Sequence, residues 1–198
     1  MTQSKRKFIL VIGGPGGSGS STIAKMLSHH FGVKRIYAGD LFRKEAKEKD
    51  FEYFEEFLQQ ISKGGNTLDL EIDSMLMEYA QRENIVIESK IFGALTKSRN
   101  IEITASIWLD ANIGTRVKRH LERDNVKGIK KIFKYFQITY NLLKRYRIDK
   151  EKYKRLYKIK YEKPNLYYDI VLDTSKLNEE ETFKLILEKL KDGGYITE

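Results

Sequence analysis

The sequence predicts an α/β fold built on a five-stranded parallel sheet flanked on both faces by helices. Three observations predict it. Five short apolar runs of strand length alternate with segments of helical periodicity. The first run is apolar at every position, as in a strand buried on both faces. A glycine-rich loop lies directly between that run and the first helix. At 198 residues the chain is long enough for one domain with a full core and short for two.

Phe8 to Ile12 forms the first strand, and from Ser20 onward Ile23, Ala24, Leu27 and Phe31 recur at helical spacing. Lys34 to Ala38 reads as the second strand, ending at Gly39-Asp40, and Leu41, Phe42 and Ala46 mark the helix after it. Phe51 to Ile61 and Leu68 to Ala80 are amphipathic helices separated by a break at Gly64-Gly65-Asn66. Ile85 to Ile87 is a third strand and Ile103 to Leu109 a fourth, with Trp108 in the core. A helix over Ile113 to Leu121 follows, then two basic, aromatic-rich helices over Ile129 to Leu143 and Lys150 to Tyr157. Asp169 to Asp173 makes the fifth strand and Asn178 to Leu190 the closing helix.

Gly14-Pro15-Gly16-Gly17-Ser18-Gly19-Ser20-Ser21-Thr22 is in register with the phosphate-binding pattern G-x-x-x-x-G-K-[ST]. Gly14 and Gly19 occupy the glycine positions and Ser21 the hydroxyl position, while Ser20 stands where the lysine is expected. Strand, glycine loop and helix come in that order, so unpaired amides and the positive end of the helix dipole can hold an anion without a charged side chain.

Ligands of such sheets bind beyond the carboxyl ends of the strands. Those ends carry Gly39-Asp40 with Arg43 one turn later, Glu88-Ser89-Lys90, and Asp110. Arg43 can fork a phosphate or lie on the surface; Asp40 can hold a metal-bound water or cap its helix. Arg116, Arg119 and Arg123 are spaced by three and four, so they share one helix stripe.

The absence of cysteine excludes disulfides, thiolate metal sites and cysteine nucleophiles together. The first apolar run is far too short to span a bilayer, and a soluble cytoplasmic protein is expected. Net charge is +9, and residues 116–160 hold 17 Lys/Arg against 4 Asp/Glu. Such a block fits nucleic acid, an anionic membrane surface, a multiply charged small substrate or a solvated helical face. Tyr135, Phe136, Tyr140 and Tyr146 could stack on nucleic acid, but their helical spacing with Ile132, Ile138 and Leu142 places them in the core.

These residues resemble the archaeal-type cytidylate kinases and their bacterial relatives, within the P-loop nucleoside monophosphate kinases. The loop is similar to that family's, in which Thr often replaces Lys. Ala38-Gly39-Asp40-Leu41-Phe42-Arg43 is similar to the family's Ala-Gly-Asp-Ile-Phe-Arg, and Leu70-Glu71-Ile72-Asp73, Ile85-Val86-Ile87-Glu88 and Ile107-Trp108-Leu109-Asp110-Ala111 continue the match. Arg116, Arg119, Arg123 and Asp124 resemble the start of the family's lid, and Tyr168 to Ser175 its last strand. Two departures stand out. Glu88-Ser89-Lys90-Ile91-Phe92-Gly93 replaces Glu-Gly-Arg-Leu-Ala-Gly, and Glu151 to Lys160 has Lys152 for an Arg and lacks a Gly and an Asp.

The resemblance implies a P-loop kinase fold with core segments 8–39, 84–112 and 165–192, monophosphate-binding helices over 40–82 and a basic helical lid over about 113–160. It implies transfer of a phosphoryl group from ATP, with Mg²⁺, to CMP or dCMP by a monomer, with neither membrane nor nucleic acid as partner. Residues Gly14 to Thr22 would bind ATP, and Ser21 Mg²⁺. Asp40, Arg43, Asp73, Lys90, Lys152 and Arg155 would bind the acceptor. Arg119 and Arg123, with Asp40, would act in catalysis, the lid arginines supplying the charge absent at Ser20. Two other readings stay open: a nucleotide-binding protein without phosphotransfer, and a P-loop kinase for another small acceptor.

Overall fold

A computed structural model describes residues 7–51, 57, 67–82 and 84–197. Strands β1 (Ile9–Gly13), β2 (Lys34–Tyr37), β3 (Ile85–Glu88), β4 (Ala105–Asp110) and β5 (Ile170–Asp173) form one sheet in the order β2-β3-β1-β4-β5. Every pairing is parallel, with Leu10 opposite Val86 on one side and Ala105 on the other. The helices are α1 (Ser20–His30), α2 (Ala38–Glu48), α3 (Thr67–Arg82), α4 (Phe92–Ser98), α5 (Ile113–Arg123), α6 (Lys130–Tyr157) and α7 (Glu179–Asp192).

Both faces of the sheet are covered, which is why β1 reads as an unbroken apolar run. Leu10 and Ile12 pack with Ile23 and Leu27 of α1 and Ile186 and Leu190 of α7. Ile9 and Val11 face the other way, onto Ile72 and Leu76 of α3, Phe92 of α4, and Trp108. Trp108 is buried as expected, flanked by the rings of Tyr161 and Tyr168. Val117 and Leu121 of α5 meet Ile138 and Leu142 of α6 in a small separate core. Because β1 has β3 on one side and β4 on the other, the chain reverses its winding there, and the crevice opens at the carboxyl end of β1.

Besides one- or two-residue shifts at the ends of other elements, among them β1, β3, β5 and α5, the structure departs from the sequence expectations in four places. β2 ends at Tyr37, and Ala38 already belongs to α2. β4 begins at Ala105 rather than Ile103. Helix α4 was not anticipated: its Phe92 to Thr96 are buried all round, so no amphipathic period marks it. The two expected basic helices are one helix of 28 residues, since Lys144 to Asp149 contains no Gly or Pro to stop it. The helix expected over Phe51 to Ile61 and the break at Gly64-Gly65-Asn66 lie outside the described residues, apart from Phe51 and Phe57.

Helix α7 opens with a capping box: Asn178 accepts from the Glu181 amide at 2.9 Å, and Glu181 accepts from the Asn178 amide at 2.8 Å. Replacing Asn178 by Ala should cost about 1 kcal/mol. A urea titration should show a lower midpoint at unchanged slope.

Candidate active site

The loop after β1 turns into α1 through two glycines in left-handed backbone, Gly17 at φ 84° and Gly19 at φ 96°. Gly17 is also hemmed in by α5, since a Cβ there would come within 2.9 Å of the Arg116 Cβ. Gly19 is the N-cap of α1 and offers no side chain, and no acidic residue occupies the first turn. The amides at this helix start therefore lack a capping acceptor and face the crevice as donors.

The carbonyls of the same loop are held from behind by arginines of α5. Arg116 Nε donates to Gly16 O at 2.7 Å. Arg119 Nη1 donates to Gly17 O at 3.2 Å and Ser18 O at 3.0 Å, and its Nη2 to Thr174 O at 2.8 Å and Leu177 O at 3.2 Å. Thr174, buried after β5, puts its Oγ1 3.0 Å from Ser18 O and 2.9 Å from Asp110 O. Burial lowers the pKa of both arginines, Asp110 opposing it at Arg116 and Glu122 at Arg119. Arg119, expected to reach phosphates, lines the cleft and donates here to carbonyls of the glycine loop and of the segment after β5.

Ser21, at the start of α1, donates its hydroxyl to Glu88 Oε1 at the end of β3. Glu88 is buried, and its other oxygen accepts from Arg35 of β2, through Nε at 3.0 Å and through Nη2. Asp40 lies elsewhere: its side chain is mostly exposed and accepts from Arg43 at 2.9 Å. The carboxylate that reaches Ser21 is therefore Glu88.

A cleft of about 770 Å³ runs from the loop to α2 and α3. Arg43, Asp73, Lys90, Lys152, Arg119 and Arg123 line it, whereas Asp40 and Arg155 do not. Its far wall is stitched to α6. Lys152 donates to Asp69 at 2.7 Å, Tyr157 donates to Asp73, and Lys90 donates to Asp149. Burial pushes the Lys90 pKa down, with Asp149 opposing, and pushes the Asp73 carboxyl up to about 6, with the Tyr157 hydroxyl opposing. Arg123 is exposed and donates to Asp124 at 3.1 Å and to His120 Nδ1 at 2.9 Å. His120 has its pKa lowered, first by burial and then by Arg123.

Sequence reasoning missed Asp69, Asp149, Tyr157 and Arg145. Arg145 lines the cleft from α6, half exposed and 3.7 Å from Asp149 Oδ1. One signal was available: Asp149 is the first acidic residue after Asp124 in a strongly basic stretch. An isolated acid of that kind marks a buried partner for a cation.

Asp73 supplies a pH test. Its pKa is raised from 3.8 in the free side chain to about 6, so its contribution to stability is full below about pH 4 and is lost as pH rises through about 6. Asp73→Asn keeps an acceptor for Tyr157 and cannot ionise. Thermal melts should find the variant more stable than the parent near pH 7, with the difference closing towards pH 4.

Residues 12–131 match the AAA domain family. A cytidylate kinase from Pyrococcus horikoshii is 31% identical over 182 residues, which is 92% of this chain and 88% of that protein. One from Methanococcus vannielii is 32% identical over 184 residues, 93% of this chain and all of that protein. Among solved structures, a shikimate kinase from Bacteroides thetaiotaomicron superposes with a TM-score of 0.59 at 12% identity, covering 96% of this chain and 99% of that one. A gluconokinase from Sinorhizobium meliloti superposes at 0.56 with 14% identity, covering 94% of each. These two likenesses concern the fold alone. Identity maintained across nine-tenths of the chain carries the assignment: the chain belongs to the archaeal-type cytidylate kinase family of P-loop nucleoside monophosphate kinases.

Proposed function

We propose that the chain transfers the γ-phosphoryl group of ATP to a pyrimidine nucleoside monophosphate, CMP or dCMP, with Mg²⁺. An acceptor phosphate oxygen forms the new bond to the γ-phosphorus as the bond to the β,γ-bridging oxygen breaks, leaving ADP and a nucleoside diphosphate. The observation that carries this reading is the loop itself, whose carbonyls are clamped behind it and whose helix-start amides open into a cleft walled by α2 and α3. The family relatives' names support the choice of acceptor.

Phosphoryl transfer asks a protein for alignment and positive charge more than for covalent chemistry. The loop amides bind the donor's phosphates and fix their direction. Arg116 and Arg119 place two positive charges on the carbonyl side of the same peptides, which polarises the N–H groups facing the phosphates. Charge absent at Ser20 is thus supplied from behind the loop. Arg123 and Arg145 are the guanidiniums left to approach the transferring group, because both line the cleft with side chains half exposed or more. Arg43, Lys90, Lys152 and Asp73 orient the acceptor from the opposite wall.

Ser21 and Glu88 fit a Mg²⁺ site. Both offer oxygen, Glu88 is buried beside the loop, and among the described residues no cluster of three or more His, Asp or Glu is available to hold an ion unaided. Magnesium suits such sparse protein ligation, completed by waters and substrate phosphates. When bound, it would neutralise charge on the donor's β- and γ-oxygens.

An ADP-release assay across CMP, dCMP, UMP, AMP and small non-nucleotide acceptors tests the reading. Release should depend on CMP or dCMP; release with a non-nucleotide acceptor alone would move the chain to another acceptor, and ATP binding without release would make it a binding protein. Ser21→Ala should lower kcat on the order of 10²-fold. Its loss should shrink when Mg²⁺ is raised.

A further inference from the structure

The first half of α6 carries a feature the kinase reading does not use. Ile129, Ile132, Phe133, Phe136, Tyr140 and Leu143 are each between 52% and 78% exposed. Sequence periodicity had placed Ile132, Phe136 and Tyr140 in the core. Instead, Ile138 and Leu142 form the buried face, against α5. At 3.6 residues per turn the six exposed residues fall within an arc of about 100°, on the side of the helix away from Ile138 and Leu142. None of the six lines the cleft, whereas Leu142 and Arg145 do. The helix shows one face to the site and an apolar stripe to the outside.

Charge decides what covers that stripe. Between Asn125 and Ile148 the chain has seven Lys/Arg (Lys127, Lys130, Lys131, Lys134, Lys144, Arg145 and Arg147) and no Asp or Glu. Lys130 and Lys144, both exposed, project along one edge of the stripe. A second copy of the chain would bring two such cationic faces together, which like charges oppose. Nucleic acid would satisfy the lysines and leave Ile129, Ile132 and Leu143 without an apolar complement. An anionic bilayer satisfies both at once: apolar side chains enter the boundary between headgroups and acyl chains, and lysines bend their ammonium groups back to the lipid phosphates. From Ile129 to Leu143 the stripe is about 22 Å long, enough to lie flat in that boundary. No described helix is long and apolar enough to cross a membrane, and none is required to.

We propose that the exposed stripe of α6 is an interfacial membrane-binding face that docks the enzyme on an anionic lipid surface, with the cleft left open on the opposite side of the helix. This goes beyond the kinase reading and does not rest on it.

Flotation of the full chain with vesicles tests it. The protein should float with vesicles of phosphatidylcholine containing phosphatidylglycerol, and not with phosphatidylcholine alone. Phe133→Ser with Phe136→Ser should lower the partition coefficient about tenfold or more, as should Lys130→Glu with Lys144→Glu, whose effect should fade at high salt. Both double variants alter exposed positions outside the site, so their nucleotide turnover in solution and their melting temperatures should match the parent. Phe136→Trp adds an exposed reporter to the one buried Trp108, and its emission should shift to the blue on anionic vesicles only. Absence of flotation with anionic vesicles, unchanged partition in both double variants, or an unshifted Phe136→Trp emission overturns the proposal. Retention of RNA or self-association by the stripe without vesicle binding overturns it as well, in favour of those partners.

Discussion

Two guanidinium groups behind the glycine loop hold its peptides in one orientation, and the site depends on that. A glycine-rich turn has many conformations to lose on ordering. Here Arg116 and Arg119 accept the cost by binding Gly16, Gly17 and Ser18 through their carbonyls, and Thr174 adds a hydroxyl from the end of β5. Each carbonyl turned towards α5 turns the opposite edge of its peptide towards the cleft. A lysine at Ser20 would place one charge among the phosphates; the arginines place two behind the peptides, fixed in a fork geometry that an ammonium lacks. The same contact docks α5 on the core, so loop order and the position of α5 are one event.

Helix α6 joins the two ends of the cleft. Near its middle Leu142 packs towards Gly16 and Arg145 faces the cavity; further on Asp149, Lys152 and Tyr157 engage Lys90, Asp69 and Asp73. Buried pairs of this kind add little net stability, because desolvation offsets most of the attraction. They fix direction instead. Lys90 and Lys152, each standing where the related family has an arginine, are compact charges that Asp149 and Asp69 hold at defined points of the cleft's far wall.

Much of this was legible in the residues. The order of β1, loop and α1 followed from an apolar run, a glycine pattern and a helical period in succession. The arginine stripe from Arg116 followed from spacing alone, although spacing could not say whether Arg119 pointed at phosphates or at carbonyls. Helix α4 was hidden because burial on every side removes the period that reveals a helix. The continuity of α6 was hidden because its apolar residues change faces: the buried set at Ile138 and Leu142 and the exposed set at Ile132, Phe136 and Tyr140 together look like a thick core face. Asp73 and Tyr157 lie 84 positions apart, and Ser21 and Glu88 lie 67 apart. No local pattern connects such pairs, since only the packing of the folded chain brings them together.

The most direct test of this account is the affinity of the Arg119→Ala variant for ATP, measured by calorimetry beside its affinity for CMP. Loss of about tenfold or more for ATP with CMP binding unchanged is expected if Arg119 holds the loop in its phosphate-binding form. ATP affinity equal to that of the parent would contradict it.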